Sequence, residues 1–314
     1  MYGVHNQHPT THFDKFVLSF STLCDGFKLG CRPFIGINKC HLKGPFKGVL
    51  LSAVTLYGNN GIQPLVICVC GTKSSSTWTW FLGQLREFLC DSRQLTFMCD
   101  RQKGIHNALV TKFPTTHVRY CTRYIFANVK AKHTKTDFKA HFWAALRTSN
   151  AKDFDTAMER LKSVNSNAFQ TIRKIYLKFW SRHAFDKTCK LDHCTNNMTE
   201  SFNSWLEVER KLPLITIIKF IRRKIMKRLV SKRRKAQLWQ CNITRVIYKK
   251  MDENLQKDRG IPLLQVSETL FEIHDEQKTY IVDLQKKKCS YGLWAVSGYP
   301  CEHAMPCINR SRLR

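Results

Sequence analysis

Two acids and one amide define the chemistry open to this chain. Asp100 closes the apolar run Leu95-Thr96-Phe97-Met98-Cys99, and Glu200 lies within Thr195-Asn196-Asn197-Met198-Thr199-Glu200-Ser201-Phe202-Asn203. An acid at the end of a strand, faced by a second acid from a helix, suits metal-dependent work on phosphodiesters. That chemistry needs carboxylates from separate elements, holding two Mg²⁺ ions ~3.5–4 Å apart. The first carboxylate of such a set belongs at the end of Phe34-Ile35-Gly36-Ile37-Asn38, and an amide stands there. No Asp or Glu occurs from Gly26 to Arg86, so no neighbour replaces it. An amide oxygen can ligate Mg²⁺ but brings no negative charge to the ion. Taken singly, Asp100 and Glu200 also read as a helix cap and a solvated acid.

The elements that would position these residues follow from the pattern. Phe34–Asn38, Gly48–Tyr57 and Pro64–Cys70 are short apolar runs. Gly58-Asn59-Asn60-Gly61 is a hairpin turn, so the three form an antiparallel meander. Trp78, Leu82, Leu85 and Leu89 then fall at helical spacing behind Ser76 as N-cap. Leu95–Asp100 is a strand, Ile105, Leu109 and Phe113 mark a short helix, and Val118–Cys121 is a fifth strand. The order βββ-α-β-α-β predicts an α/β fold with a mixed sheet and helices on its faces. Residues from about 126 to 194 are helical in pattern and form an all-helical insertion. Glu200 begins a further helix, and Leu214–Lys235 is another, started by Pro213.

Charge narrows the partner. The 314 residues carry 52 lysines and arginines against 23 acids, a net charge of +29. Such an excess is the electrostatic footprint of a nucleic-acid binder. It concentrates in Arg222, Arg223, Lys224, Lys227, Arg228, Lys232, Arg233, Arg234 and Lys235, on a helix whose other stripe is Ile217, Ile221, Ile225 and Leu229. No acid occurs from Arg210 to Met251, so counterion release on a phosphate backbone is an available source of affinity. A solvated outer face is the plainer account. No apolar run reaches the ~20 residues a membrane helix needs. The expected partner is DNA, with a homo-oligomer as an option and no membrane. Lys232–Lys235 also has the form of a short nuclear-import signal, and the expected compartment is the nucleus. The 14 cysteines, several inside strand-like runs, read as core thiols of a reducing compartment.

Cys289, Cys301, His303 and Cys307 lie in the last 26 residues. Structural zinc takes four such ligands in a tetrahedron. The alternative is that these thiols are buried or free. His183, Cys189, His193 and Cys194 form a second, weaker grouping before Glu200.

Four blocks carry a family resemblance: Gly30–Pro45, Ser76–Leu82, Phe97–Gly104 and Thr195–Asn203. In order and spacing they resemble the Mutator-like transposases of plants, from about residue 16 to residue 234. The resemblance implies a ribonuclease-H-like core with a helical insertion and a catalytic Asp-Asp-Glu triad. That triad maps to Asn38, Asp100 and Glu200, with Mg²⁺ or Mn²⁺ as its cofactor. The family's Cys-x-x-His after the fifth strand is Cys121-Thr122-Arg123-Tyr124 here, without the histidine. The tail resembles a degraded SWIM-type zinc finger. Cys301-Glu302-His303 matches its second half, and Tyr291 stands at the second ligand position after Cys289. Cys307 is the candidate replacement. The expected domains are a lead-in at 1–29, a core at 30–235, a linker at 236–263 and a zinc-finger-like module at 264–314. The expected function is nucleic-acid binding by a transposase derivative whose strand-transfer chemistry is lost at Asn38. The second reading is an active, metal-dependent transposase.

Overall fold

Apolar runs too short for helices, joined by tight turns, become the sheet. The computed structural model describes residues 13–44, 47–71, 74–102, 104–134, 137–257, 260–275 and 278–311; Pro45 and Lys103 of the blocks above lie outside them. The chain opens with β1 (Lys15–Ser19) and α1 (Ser21–Gly30), followed by β2 (Phe34–His41), β3 (Val49–Leu56) and β4 (Ile62–Cys70). Next come α2 (Ser75–Leu89), β5 (Thr96–Cys99), α3 (Ile105–Lys112) and β6 (His117–Tyr120). The sheet order is β1-β4-β3-β2-β5-β6. The meander β2-β3-β4 is antiparallel, and β5 runs parallel to both β2 and β6. This is the mixed, ribonuclease-H-like α/β sheet that the pattern and the resemblance predict.

Period-two alternation divides β2 between two cores. Ile35 and Ile37 face one cluster with Phe27, Trp78, Phe81, Leu85 and Leu109 from α1, α2 and α3. Phe34 and Cys40 face the other. Each fully buried large side chain there contributes about 1.5–3 kcal/mol. Asn38 shares the parity of Phe34 and Cys40, so it points into the second face.

That second face is covered late in the sequence. Four helices come first: α4 (Thr122–Lys132), α5 (Lys139–Arg147), α6 (Ala151–Val164) and α7 (Ser166–Arg173). They form the helical insertion around Phe142, Phe154, Leu161, Ile172 and Trp180. Asn150 and Asn165 cap α6 and α7 by accepting from Asp153 N and Ala168 N at 2.9 and 2.8 Å. The chain then returns through two short 3-10 turns to α8 (Asn197–Trp205) and α9 (Leu214–Gln237). Phe202 from α8 and Ile217, Ile221 and Ile225 from α9 complete the second core. Arg119, buried on β6, ties down the returning segment by donating to the carbonyls of Leu191 and Asp186.

A second, four-stranded sheet follows α10 (Arg245–Gln256). Its order is β10-β9-β8-β7, from β7 (Leu263–Gln265), β8 (Leu270–Asp275), β9 (Lys278–Asp283) and β10 (Lys288–Cys289). Helices α11 (Leu293–Ser297) and α12 (Ala304–Arg310) pack on it. Between Cys289 and Cys301 the chain grips the rest of the molecule. Val296 enters the insertion core, Arg32 donates to the carbonyls of Ser297 and Lys190, and Lys190 donates to Ala295 O.

Several expected boundaries move. The lead-in at 1–29 supplies β1, which pairs with β4, and α1, whose Phe27 is fully buried. The cap of α2 is Ser74, which accepts from Thr77 N at 3.0 Å, and Ser76 lies inside the helix. Glu200 sits in the first turn of α8 rather than beginning it. The expected linker contains α10, whose Asn254 donates to Pro300 O at 2.9 Å.

Candidate catalytic site and metal cluster

The parallel pairing of β2 with β5 sets the site. Its register runs Phe34↔Thr96, Ile35↔Phe97, Gly36↔Met98. Continued by two residues, past the end of β5 at Cys99, this register would set Asn38 opposite Asp100. Helix α8 rests on β2 at Gly36, where a Cβ would lie 2.3 Å from Met198 Cε and 2.6 Å from Asn196 Oδ1. Only a bare backbone allows that approach, which brings the first turn of α8, and Glu200 with it, over the strand ends.

Asp100 and Glu200 lie near enough to influence each other's charge. Burial, then the charge of Glu200, raise the Asp100 carboxyl to about 6, against a smaller opposing effect of Lys39. One Asp100 oxygen, Oδ1, is buried without a hydrogen-bond partner. Burial, then Asp100 and Glu200, push the Tyr124 phenol up to about 12. Tyr124, where the resemblance implies a histidine, is thus near enough to both acids to feel their charge.

Asn38 is 6% exposed and its amide is engaged at both ends. Nδ2 donates to Thr199 Oγ1 at 3.1 Å, and Oδ1 accepts from Lys39 N at 2.7 Å. Thr199 in turn donates to Asn196 O, and Asn196 Nδ2 donates to Ile37 O. Glu200 has a cationic partner: Arg123 Nη1 lies 2.6 Å from its Oε2 and 2.8 Å from Asn197 Oδ1. Arg123 and Thr199 were missed in the sequence. Arg123 adjoins the altered Tyr124, which was the only available signal. The donor set offers carboxylates at two corners and an already engaged amide at the third. It does not fit a two-ion centre.

The tail behaves differently. Cys289, Cys301 and His303 are buried, with ligand atoms all within 4.8 Å of one another. His303 Nε2 faces Asp275 Oδ2 at 3.2 Å, while Nδ1 is buried without a hydrogen-bond partner. A carboxylate behind a metal-ligating histidine is the usual way to fix its orientation. The hydrogen bond with Cys289 leads the effects that lower the Cys301 thiol toward thiolate, against burial. These three residues fit a thiophilic ion such as zinc. Cys307 lies outside the triplet, its thiol donating to His303 O at 3.4 Å. Tyr291 packs edge-on against the His303 ring at 4.9 Å. The other grouping separates: His183 pairs with Ser181, Cys189 accepts from Arg119, and Cys194 donates to Asp192 O. All 14 cysteines are free and all but Cys90 and Cys241 are buried.

On α9, Arg222, Arg223, Lys227, Arg233 and Arg234 are exposed. Lys224 is drawn to the buried Glu209 at 2.6 Å, Arg228 lies over the Trp205 ring, and Lys232 over that of Tyr57. No helix among the described residues is long and apolar enough to cross a membrane.

The mixed, ribonuclease-H-like sheet thus carries Asp100 just beyond the end of a central parallel strand and Glu200 on the helix packed against the neighbouring strand. Residues 34–128 match the family model described as the MULE transposase domain. The match takes in Asn38, Asp100 and Arg123, and ends before Glu200 and the tail. No curated protein matches the chain.

Proposed function

We propose that this chain is a transposase-derived nucleic-acid-binding protein whose strand-transfer chemistry has been lost. The observation that carries the reading is the engaged amide of Asn38, held beside Asp100 on an otherwise complete scaffold. The exposed cations of α9 supply the phosphate-binding surface, and binding weakens steeply as salt rises. Zinc in the Cys289–Cys301–His303 cluster, with Cys307 turning in as fourth ligand, makes the tail a SWIM-like structural module. The charge favours a nuclear location and DNA as the nucleic acid.

Plasmid nicking with Mg²⁺ or Mn²⁺ tests the loss of chemistry. The natural chain is expected to be silent, as is Asp100→Ala. Nicking by the natural chain that Asp100→Ala removes would overturn the reading and establish an enzyme. Nicking by Asn38→Asp alone would locate the loss at one position.

A further inference from the structure

Next to Asp100 lies a surface that the carboxylate chemistry does not use. The segment Arg173-Lys174-Ile175-Tyr176-Leu177-Lys178-Phe179 interleaves cations with rings and ends in a 3-10 turn, Leu177–Phe179. The Phe179 ring lies 4.7 Å from that of Tyr120 and 6.1 Å from that of Tyr176. His106 closes the group, 5.7 Å from Phe179, and pairs with the Tyr120 hydroxyl at 3.2 Å. Lys178 sits 5.2 Å over Phe179, and Arg101 5.9 Å over Tyr120. Tyr120 is the cross-strand partner of Cys99, the residue before Asp100. The rings thus form a track from Tyr176 to the strand end that carries the acid.

The outer end of this track is open. Tyr176 is 75% exposed, and Arg101, Arg173, Lys174 and Lys178 are exposed with it. None of the residues of the track is an acid. Exposed rings flanked by cations match one class of ligand: a polyanion that presents flat faces. Duplex DNA hides its bases in the stack and offers mainly phosphates to such a surface. A single strand offers both, and base–aromatic stacking tolerates any sequence.

We propose that the Tyr176–Phe179–Tyr120 track is a stacking platform for unpaired bases of single-stranded nucleic acid, leading toward Asp100. The inference rests on the nucleic-acid-binding reading above and adds the form of nucleic acid and its place. Within that reading, α9 binds phosphates of either form and the track distinguishes them.

The test is fluorescence anisotropy on the full chain. The probes are a labelled single strand of about 20 nucleotides, longer than the ~4–16 such surfaces cover, and its duplex. Tyr176→Ala is expected to weaken single-strand binding by about 5- to 100-fold and duplex binding by less than about 2-fold. Tyr176→Phe keeps the ring and should bind as the natural chain does. A triple variant of α9, Arg222→Ala with Arg223→Ala and Lys227→Ala, should weaken both forms. Unchanged single-strand affinity in Tyr176→Ala, or equal loss on both forms, overturns the platform and leaves the α9 reading standing. Binding of neither form by the natural chain overturns both. An unshifted melting temperature in Tyr176→Ala excludes misfolding as the cause of any loss.

Discussion

At Asn38 and at Tyr291 an uncharged side chain stands where the family resemblance implies a metal ligand, yet the two surroundings respond differently. In the core, Asn38 is absorbed: Thr199 and the Lys39 amide take both ends of its side chain, and Arg123 takes Glu200. In the tail, Tyr291 packs edge-on to His303 while Cys289, Cys301 and His303 still converge with a histidine nitrogen unpaired. The contrast teaches that sheet register holds a position whatever residue fills it. A neutral replacement there can be tied into the scaffold. A cluster closed by loops stays available as long as its remaining ligands meet.

The largest effect should come from separating scaffold from chemistry. Gly36→Val forces a side chain into Met198, Asn196 and Thr199 and lifts α8. A loss of about 3 kcal/mol or more is expected in urea unfolding. A near-neutral result would mean that α8 does not depend on this contact. Next, Cys301→Ser should abolish zinc content measured by mass spectrometry. It should also cancel the stabilisation of about 2.7 kcal/mol that zinc at a hundredfold excess over Kd gives the natural chain. Zinc retained at full stoichiometry would move the site elsewhere.

A smaller effect tests the closed site directly. Asn38→Asp gives up the donor to Thr199 and adds a charge beside Asp100 and Glu200. About 1–3 kcal/mol should be lost without metal. Mg²⁺ should raise the melting temperature of this variant and leave the natural chain unmoved. A natural chain that Mg²⁺ stabilises would show that the core site is as open as the tail. The smallest effect concerns pH. Asp100 holds its proton to about 6 in the fold and releases it at lower pH when unfolded, so this group lowers stability as pH rises from about 4 to about 6. Asp100→Asn removes that dependence. Its melting temperature should exceed that of the natural chain by a few degrees at about pH 7.5 and match it at about pH 4. An equal shift at both would place the cause outside the carboxyl's titration.

Much of the core was legible because local pattern and tertiary role agree there. The runs of β2, β3 and β4 are apolar with a clear hairpin turn, and Asp100 directly follows a short strand that is buried throughout. The α9 stripe of isoleucines at i, i+4 gave that helix to within two residues at its end. Helices α1 and α10 were not legible: the first is short and carries Gly26 in its middle, and the second is rich in polar residues, with Asn254 its one buried side chain. The Arg123–Glu200 pair and the Asn38–Thr199–Asn196 chain of hydrogen bonds join residues far apart in sequence, where spacing carries no signal. At the tail the ligand types were visible, but which of them meet depends on how the chain folds back between Cys289 and Cys301.

Val296 adds a consequence in time. It lies near the end of the chain, yet its side chain fills the core of a helical insertion made far earlier. A nascent chain folds from its N-terminus as it emerges at roughly 5–20 residues per second. The six-stranded sheet gains α8 and α9 first, whereas the insertion lacks a piece of its interior until residue 296 has left the ribosome. Premature termination before residue 296 would leave an exposed apolar hole in an otherwise assembled protein, and a substrate for chaperones.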